Sequence, residues 1–113
     1  MKIKQNDRRP YARTTLYLDK ANEIVADVSS GQVTDIVFNM KAQGAGGALK
    51  VTAGSVDYVT DGSNGQVEYK WAVGDTDAVG MFDAEFEVTW ADGRKQTFPH
   101  DSNLLVEVVA ELG

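Results

Sequence analysis

The run MFDAEFEVTW, residues 81–90, places Phe82, Ala84, Phe86, Val88 and Trp90 at one parity and Asp83, Glu85, Glu87 and Thr89 at the other. A period of two with one apolar set and one polar set belongs to a strand that packs on a core with one face and meets water with the other. The same alternation precedes it in QVEYKW (66–71), where Val67, Tyr69 and Trp71 share a face, and follows it in RKQTF (94–98). The turn between the last two runs, Ala91-Asp92-Gly93, admits two registers. A two-residue loop sets Glu87 opposite Phe98. A three-residue loop with Gly93 in the left-handed bulge position sets Phe86 opposite Phe98 and keeps aromatic side chains together, so it is the expected one.

Outward from this segment the pattern repeats. Thr14–Asp19 and Glu23–Val28 read as short strands around the Asp19–Asn22 turn, and Val33–Lys41 alternates with Ile36, Phe38 and Met40 on one side. Leu49–Thr60 changes phase beside Gly54, as a β-bulge would require, and Asp61–Gly65 supplies a turn before Val67. Asn103–Leu112 reads as a last strand, apolar on both faces and therefore either central or covering an interface. The glycine-rich residues 43–48 read as a loop, with neither the Lys-Ser/Thr nor the helix that a phosphate cradle needs. Seven to eight short strands at this spacing predict an all-β, antiparallel, immunoglobulin-like β-sandwich. Gly80-Met81-Phe82-Asp83-Ala84 carries the glycine–aromatic–small pattern that opens strand F of such domains, with Phe82 in place of the usual tyrosine. The expected organisation is a basic N-terminal arm over residues 1–13 and one sandwich domain over 14–113.

Composition narrows function. The 113 residues contain no cysteine, which removes disulfides and thiolate metal sites. No stretch approaches the roughly 20 apolar residues of a membrane span and the start lacks a signal-peptide core, so a soluble protein made in a cytoplasm is expected. The net charge of −6 argues against nucleic-acid binding. That charge is unevenly spread: Lys2, Lys4, Arg8, Arg9 and Arg13 face only Asp7 within residues 1–15. A basic arm before an acidic body reads either as an ordinary polar terminus or as an arm that docks on an acidic surface, a second copy being one candidate.

Candidates for chemistry are few. A catalytic triad would have to use His100, the one histidine, which reads as a loop residue. Asp75 and Asp77, with Asp57, Asp61 and Asn64, could present oxygens to Ca²⁺, but they lack an EF-hand spacing and a closing Glu and read as turn formers. Asp83, Glu85 and Glu87 point outward together, as a solvated face or as a strip for basic partner residues. Tyr69, Trp71 and Trp90 alternate inward, which leaves Tyr11 and Tyr17 for stacking; Tyr17 is out of phase with Leu16 and Leu18 and is expected to be exposed. No catalytic residue, metal or cofactor is expected. The expected docking residues are Arg8, Arg9, Arg13, Tyr17, Asp83, Glu85 and Glu87.

The segments DGSNGQVEYKW (61–71), GDTD (74–77), GMFDAEFEV (80–88) and DGRKQTFP (92–99) together resemble the N-terminal domain of siphophage baseplate upper proteins. VTDIVFNM (33–40) is similar to the strand that precedes this motif, so the resemblance covers roughly residues 33–100, and residues 1–13 fall outside it. The resemblance implies a non-enzymatic structural protein of a tailed-phage virion, made in the host cytoplasm, with an immunoglobulin-like domain that bridges other phage structural proteins in the tail, baseplate or connector. A stand-alone carbohydrate-binding or host-adhesion module is the alternative expectation.

Overall fold

The structure is a computed structural model that describes residues 1–44, 49–99 and 104–112. Ten strands occur among them: β1 (Lys2–Lys4), β2 (Ala12–Thr15), β3 (Tyr17–Asp19), β4 (Ile24–Val25), β5 (Val33–Ala42), β6 (Leu49–Tyr58), β7 (Gln66–Tyr69), β8 (Gly80–Trp90), β9 (Lys95–Phe98) and β10 (Leu104–Val109). One curled sheet has the order β1-β10-β8-β5-β6-β7-β2, with β9 also paired to β8, while β3 and β4 form a separate two-stranded ribbon. The architecture is all-β and sandwich-like.

β6 makes the curl. Its first part pairs with β5 and its last part, Val56–Tyr58, pairs with β7, so one strand passes from one layer to the other. An extra residue is accommodated between the Phe38–Gly54 and Met40–Val51 pairs, and Ala53 takes a positive φ of 51° there. This is the bulge expected beside Gly54. Gly54 is needed for a second reason: a Cβ at that position would collide with the Tyr69 ring.

β8 is the spine of the larger layer. It pairs with β5 along nearly its whole length, and on its other side with β10 over Gly80–Ala84 and β9 over Phe86–Thr89. Phe86 does stand opposite Phe98, and Gly93 does take a positive φ, so the three-residue loop is the one adopted. The inward residues Phe82, Ala84, Phe86 and Val88 are all buried, as are Ile36, Phe38 and Met40 on β5. Across the core, Phe38 stacks on Tyr69 at 4.5 Å and meets Trp71 and Phe86 edge-on at 5.8 and 5.1 Å. Trp71 is further fixed by its indole N–H, which donates to the Pro10 carbonyl at 2.8 Å.

Three expectations are corrected. The N-terminal residues are not a projecting arm. β1 pairs in parallel with β10, Ile3 is only 2% exposed, and the N-terminal ammonium donates to the Leu105 carbonyl. The sheet is therefore mixed rather than wholly antiparallel, and β10 lies inside it, between β1 and β8. Finally, Thr14–Asp19 is not one strand. Leu16 drops into the core, its N–H bonded to Gly65 and its carbonyl to Ala26, and this releases β3 and β4 from the main sheet. Only Ile24–Val25 of the expected Glu23–Val28 strand is then paired, and Leu18 is 48% exposed.

Candidate functional site

Asp83, Glu85 and Glu87 stand on the outer face of β8 because their neighbours in the chain fill the core. Their surroundings differ. Asp83 is flanked by Lys41 and Leu105 and accepts a hydrogen bond from Gln43 Nε2 at 3.1 Å; Glu85 lies opposite Asn39; Glu87 lies between Val37 and Thr97, with Lys95 Nζ at 3.5 Å. Glu87 alone of the three has an ion pair among the described residues. The strip is half-buried and sits in mid-sheet, with exposed Met81 and Leu105 beside it and Leu49 two strands away. Carboxylates next to exposed apolar side chains suit a protein contact better than a fully hydrated face would.

The basic candidates lie on the other layer. Arg13 on β2 points outward opposite Glu68 of β7, and its Nε and Nη2 approach one carboxylate oxygen at 2.9 and 2.7 Å. The guanidinium covers Glu68, which is only 6% exposed. Arg9 lies over the Tyr11 ring at 5.4 Å with Lys70 at 5.7 Å from the same ring, and Arg8 Nε donates to the Trp71 carbonyl at 3.0 Å. Arg8 and Arg13 are thus engaged within their own chain. Tyr17, half-buried rather than exposed, pairs with Val25 in the β3–β4 ribbon, whose exposed apolar side chains are Leu18, Ile24 and Val25. The seven expected docking residues are therefore divided among three surfaces.

Arg13→Ala is expected to lower stability by about 1 kcal/mol, since it strips a buried carboxylate of its donor while the lost pair is itself half in water. Glu68→Gln in the same background should recover part of the loss. Urea unfolding of the two variants checks both statements.

The acidic turn residues are occupied with their own loops. The Asp75 carboxylate accepts from the Ala72 N–H at 2.8 Å and from the Tyr69 hydroxyl, and burial together with this carboxylate raises the Tyr69 phenol well above its ordinary value. Asp77 pairs with Lys50, and Asp57 with Lys70. Asp61 accepts the N–H and hydroxyl of Ser63, as Asp27 does those of Ser29, and these bonds hold both carboxyls below the usual range. Asn64 Oδ1 accepts from the Gln66 N–H. Among the described residues no three acidic or histidine side chains are grouped to hold a metal ion, and no helix is long and apolar enough to cross a membrane. His100 and loop residues 45–48 lie outside the described residues.

Two features were missed by sequence reasoning. Lys70 joins Tyr11 on the small layer; its outward parity with Glu68 in QVEYKW was the available signal. The other is a groove of about 580 Å³ where β5 and β6 part, which has no local signature because it is made by the layer change of β6. Comparison with protein-family models, with curated proteins and with solved structures finds no match to the chain.

Proposed function

We propose that this chain is a non-enzymatic structural component of a tailed-phage virion, a tail, baseplate or connector protein made in the host cytoplasm and held in the particle by contacts with other phage structural proteins. The observation that carries the proposal is the Asp83/Glu85/Glu87 strip: a row of outward carboxylates in mid-sheet, on the rigid spine of the fold, with exposed Met81 and Leu105 beside it. The resemblance to the siphophage domain supports the reading, since its segments supply β7, β8, β9 and the turns that join them. Strand order supports the immunoglobulin-like version. With β2, β7 and the end of β6 as one layer, and β5, β8 and the β9–β10 edge as the other, the neighbours follow the B-E-D and C-F-G order of that sandwich.

Mass spectrometry of purified particles tests the proposal; the chain should be a stoichiometric component, and its presence in infected cells but absence from particles would overturn it. The contact itself has a salt signature. Assembly of the chain, with itself or with its neighbour, should weaken as ionic strength rises from about 0.01 to about 1 M, over which the screening length falls from about 30 to about 3 Å. Glu85→Lys should weaken it at low salt. Sedimentation velocity across this range reads both effects, and salt-independent assembly would remove the acidic strip from the contact.

A further inference from the structure

The strands β5 and β6 are paired from Val37–Ser55 to Lys41–Leu49 only. Past that point β6 leaves for β7, while β5 continues beside β8 back to Val33. Among the described residues, the side of Val33–Ile36 away from β8 and the side of Val56–Tyr58 away from β7 have no strand beside them. The groove between these two open edges is walled by Val33, Ile36, Val56 and Tyr58, which also pack against the core, and by the exposed Thr34 and Ser55. Asp35 is part of its wall. The Tyr58 ring lies against Gly62, whose carbonyl accepts the Val28 N–H, so Asp61 and Asp27, the residues next to these two in the chain, lie near that end of the groove. Burial, and then the charge of Asp27, raise the Tyr58 phenol. None of Asp27, Asp35 and Asp61 has an ion pair among the described residues.

We propose that this groove receives an extended segment of a partner protein, with alternating basic and apolar residues, which adds a short strand to β5. Open strand edges on both walls call for main-chain hydrogen bonds, and an extended peptide supplies them while its alternate side chains enter an apolar floor. The acidic rim selects cationic residues at the other parity. Variable-type immunoglobulin sandwiches carry an additional strand of their own on the layer that contains strand C, so the position accepts one geometrically. At about 3.3 Å per residue, the four residues Val33–Ile36 offer about 13 Å of edge. The basic N-terminal residues of the same chain are held elsewhere, Lys2–Lys4 against β10 and Arg13 on Glu68, so they do not supply the segment, and the proposed occupant is a partner protein. The inference goes beyond the virion reading and does not depend on it, because it requires only the groove.

The test is a titration of the ¹⁵N-labelled protein with an acetylated and amidated peptide of four Lys-Val repeats. Amide shifts should centre on Val33–Val37 and Ser55–Tyr58, with slowed hydrogen exchange at the β5 edge. Binding should fall about twofold to fivefold in Asp35→Asn, the effect of one exposed ion pair, at a side chain that makes no hydrogen bond among the described residues. A Glu-Val peptide, and a Lys-Val peptide N-methylated at alternate amides, should not bind. Shifts centred on Asp83, Glu85 and Glu87, undiminished binding of the N-methylated peptide, or no shift up to about 1 mM peptide, a loose limit for a short-strand contact, would each overturn the proposal.

Discussion

Phe38→Ala should lower the unfolding free energy by about 3–5 kcal/mol, the range for truncating a buried aromatic ring. Phe38 is fully buried on β5 and touches three other rings: Phe86 in its own layer, and Tyr69 and Trp71 from the facing one. Its loss removes the ring through which the two layers meet, not only one side chain's transfer energy. The void cannot close easily, because Gly54 lies under the Tyr69 ring and the bulge at Ala53 fixes that backbone. Since domains of this kind are stable by about 5–15 kcal/mol, the variant should lose between about one-fifth of the parent's margin and all of it. Phe38→Leu, which restores most of the volume, should recover much of the difference. Denaturant unfolding followed by tryptophan fluorescence checks the pair, and a loss under about 1 kcal/mol for Phe38→Ala would show that the rings are not the centre of the core.

The second large effect is expected at the N-terminal strand. Ile3→Ala should cost about 2–5 kcal/mol, as for a buried aliphatic, whereas Lys2→Ala and Lys4→Ala should stay within about 0.5 kcal/mol. Ile3 is the one buried residue of β1, and its pairing with Val108 brings it over the core beside β10. Removing residues 1–4 should cost more than Ile3→Ala, because it also uncovers the backbone edge of β10. A free docking arm would give the reverse result, unchanged stability with lost assembly, so thermal unfolding of these variants separates the two roles of the segment.

Strands whose partners are near in sequence were legible. The alternation of residues 81–90, the Gly93 turn and the register it imposes are local properties, and Phe86 opposite Phe98 follows from them. The Gly54 bulge was legible because a bulge shifts the apolar phase along its own strand. β1 was not, since Lys-Ile-Lys offers one apolar residue and its partner lies a hundred positions away; two flanking lysines are also what a protected edge strand shows. The β3–β4 ribbon was misread because Leu16 and Leu18 share a parity, and only the bonds of Leu16 to Gly65 and Ala26 decide which of them is buried. The candidate site divides in the same way. That Asp83, Glu85 and Glu87 form one row could be read from their spacing. That Arg13 is neutralised by Glu68, its cross-strand neighbour within one layer, required the pairing of β2 with β7.

The parallel pairing of Ile3 with Val108 sets a clock on biosynthesis. β1 leaves the ribosome before the other nine described strands and its partner β10 after them, so the nascent chain carries an uncovered isoleucine until β10 has emerged. Contacts between such distant positions close late and slowly. A chain stalled before Leu104 should consequently be sensitive to protease along its whole length, and resistance should arise abruptly once the last described strand has cleared the exit tunnel.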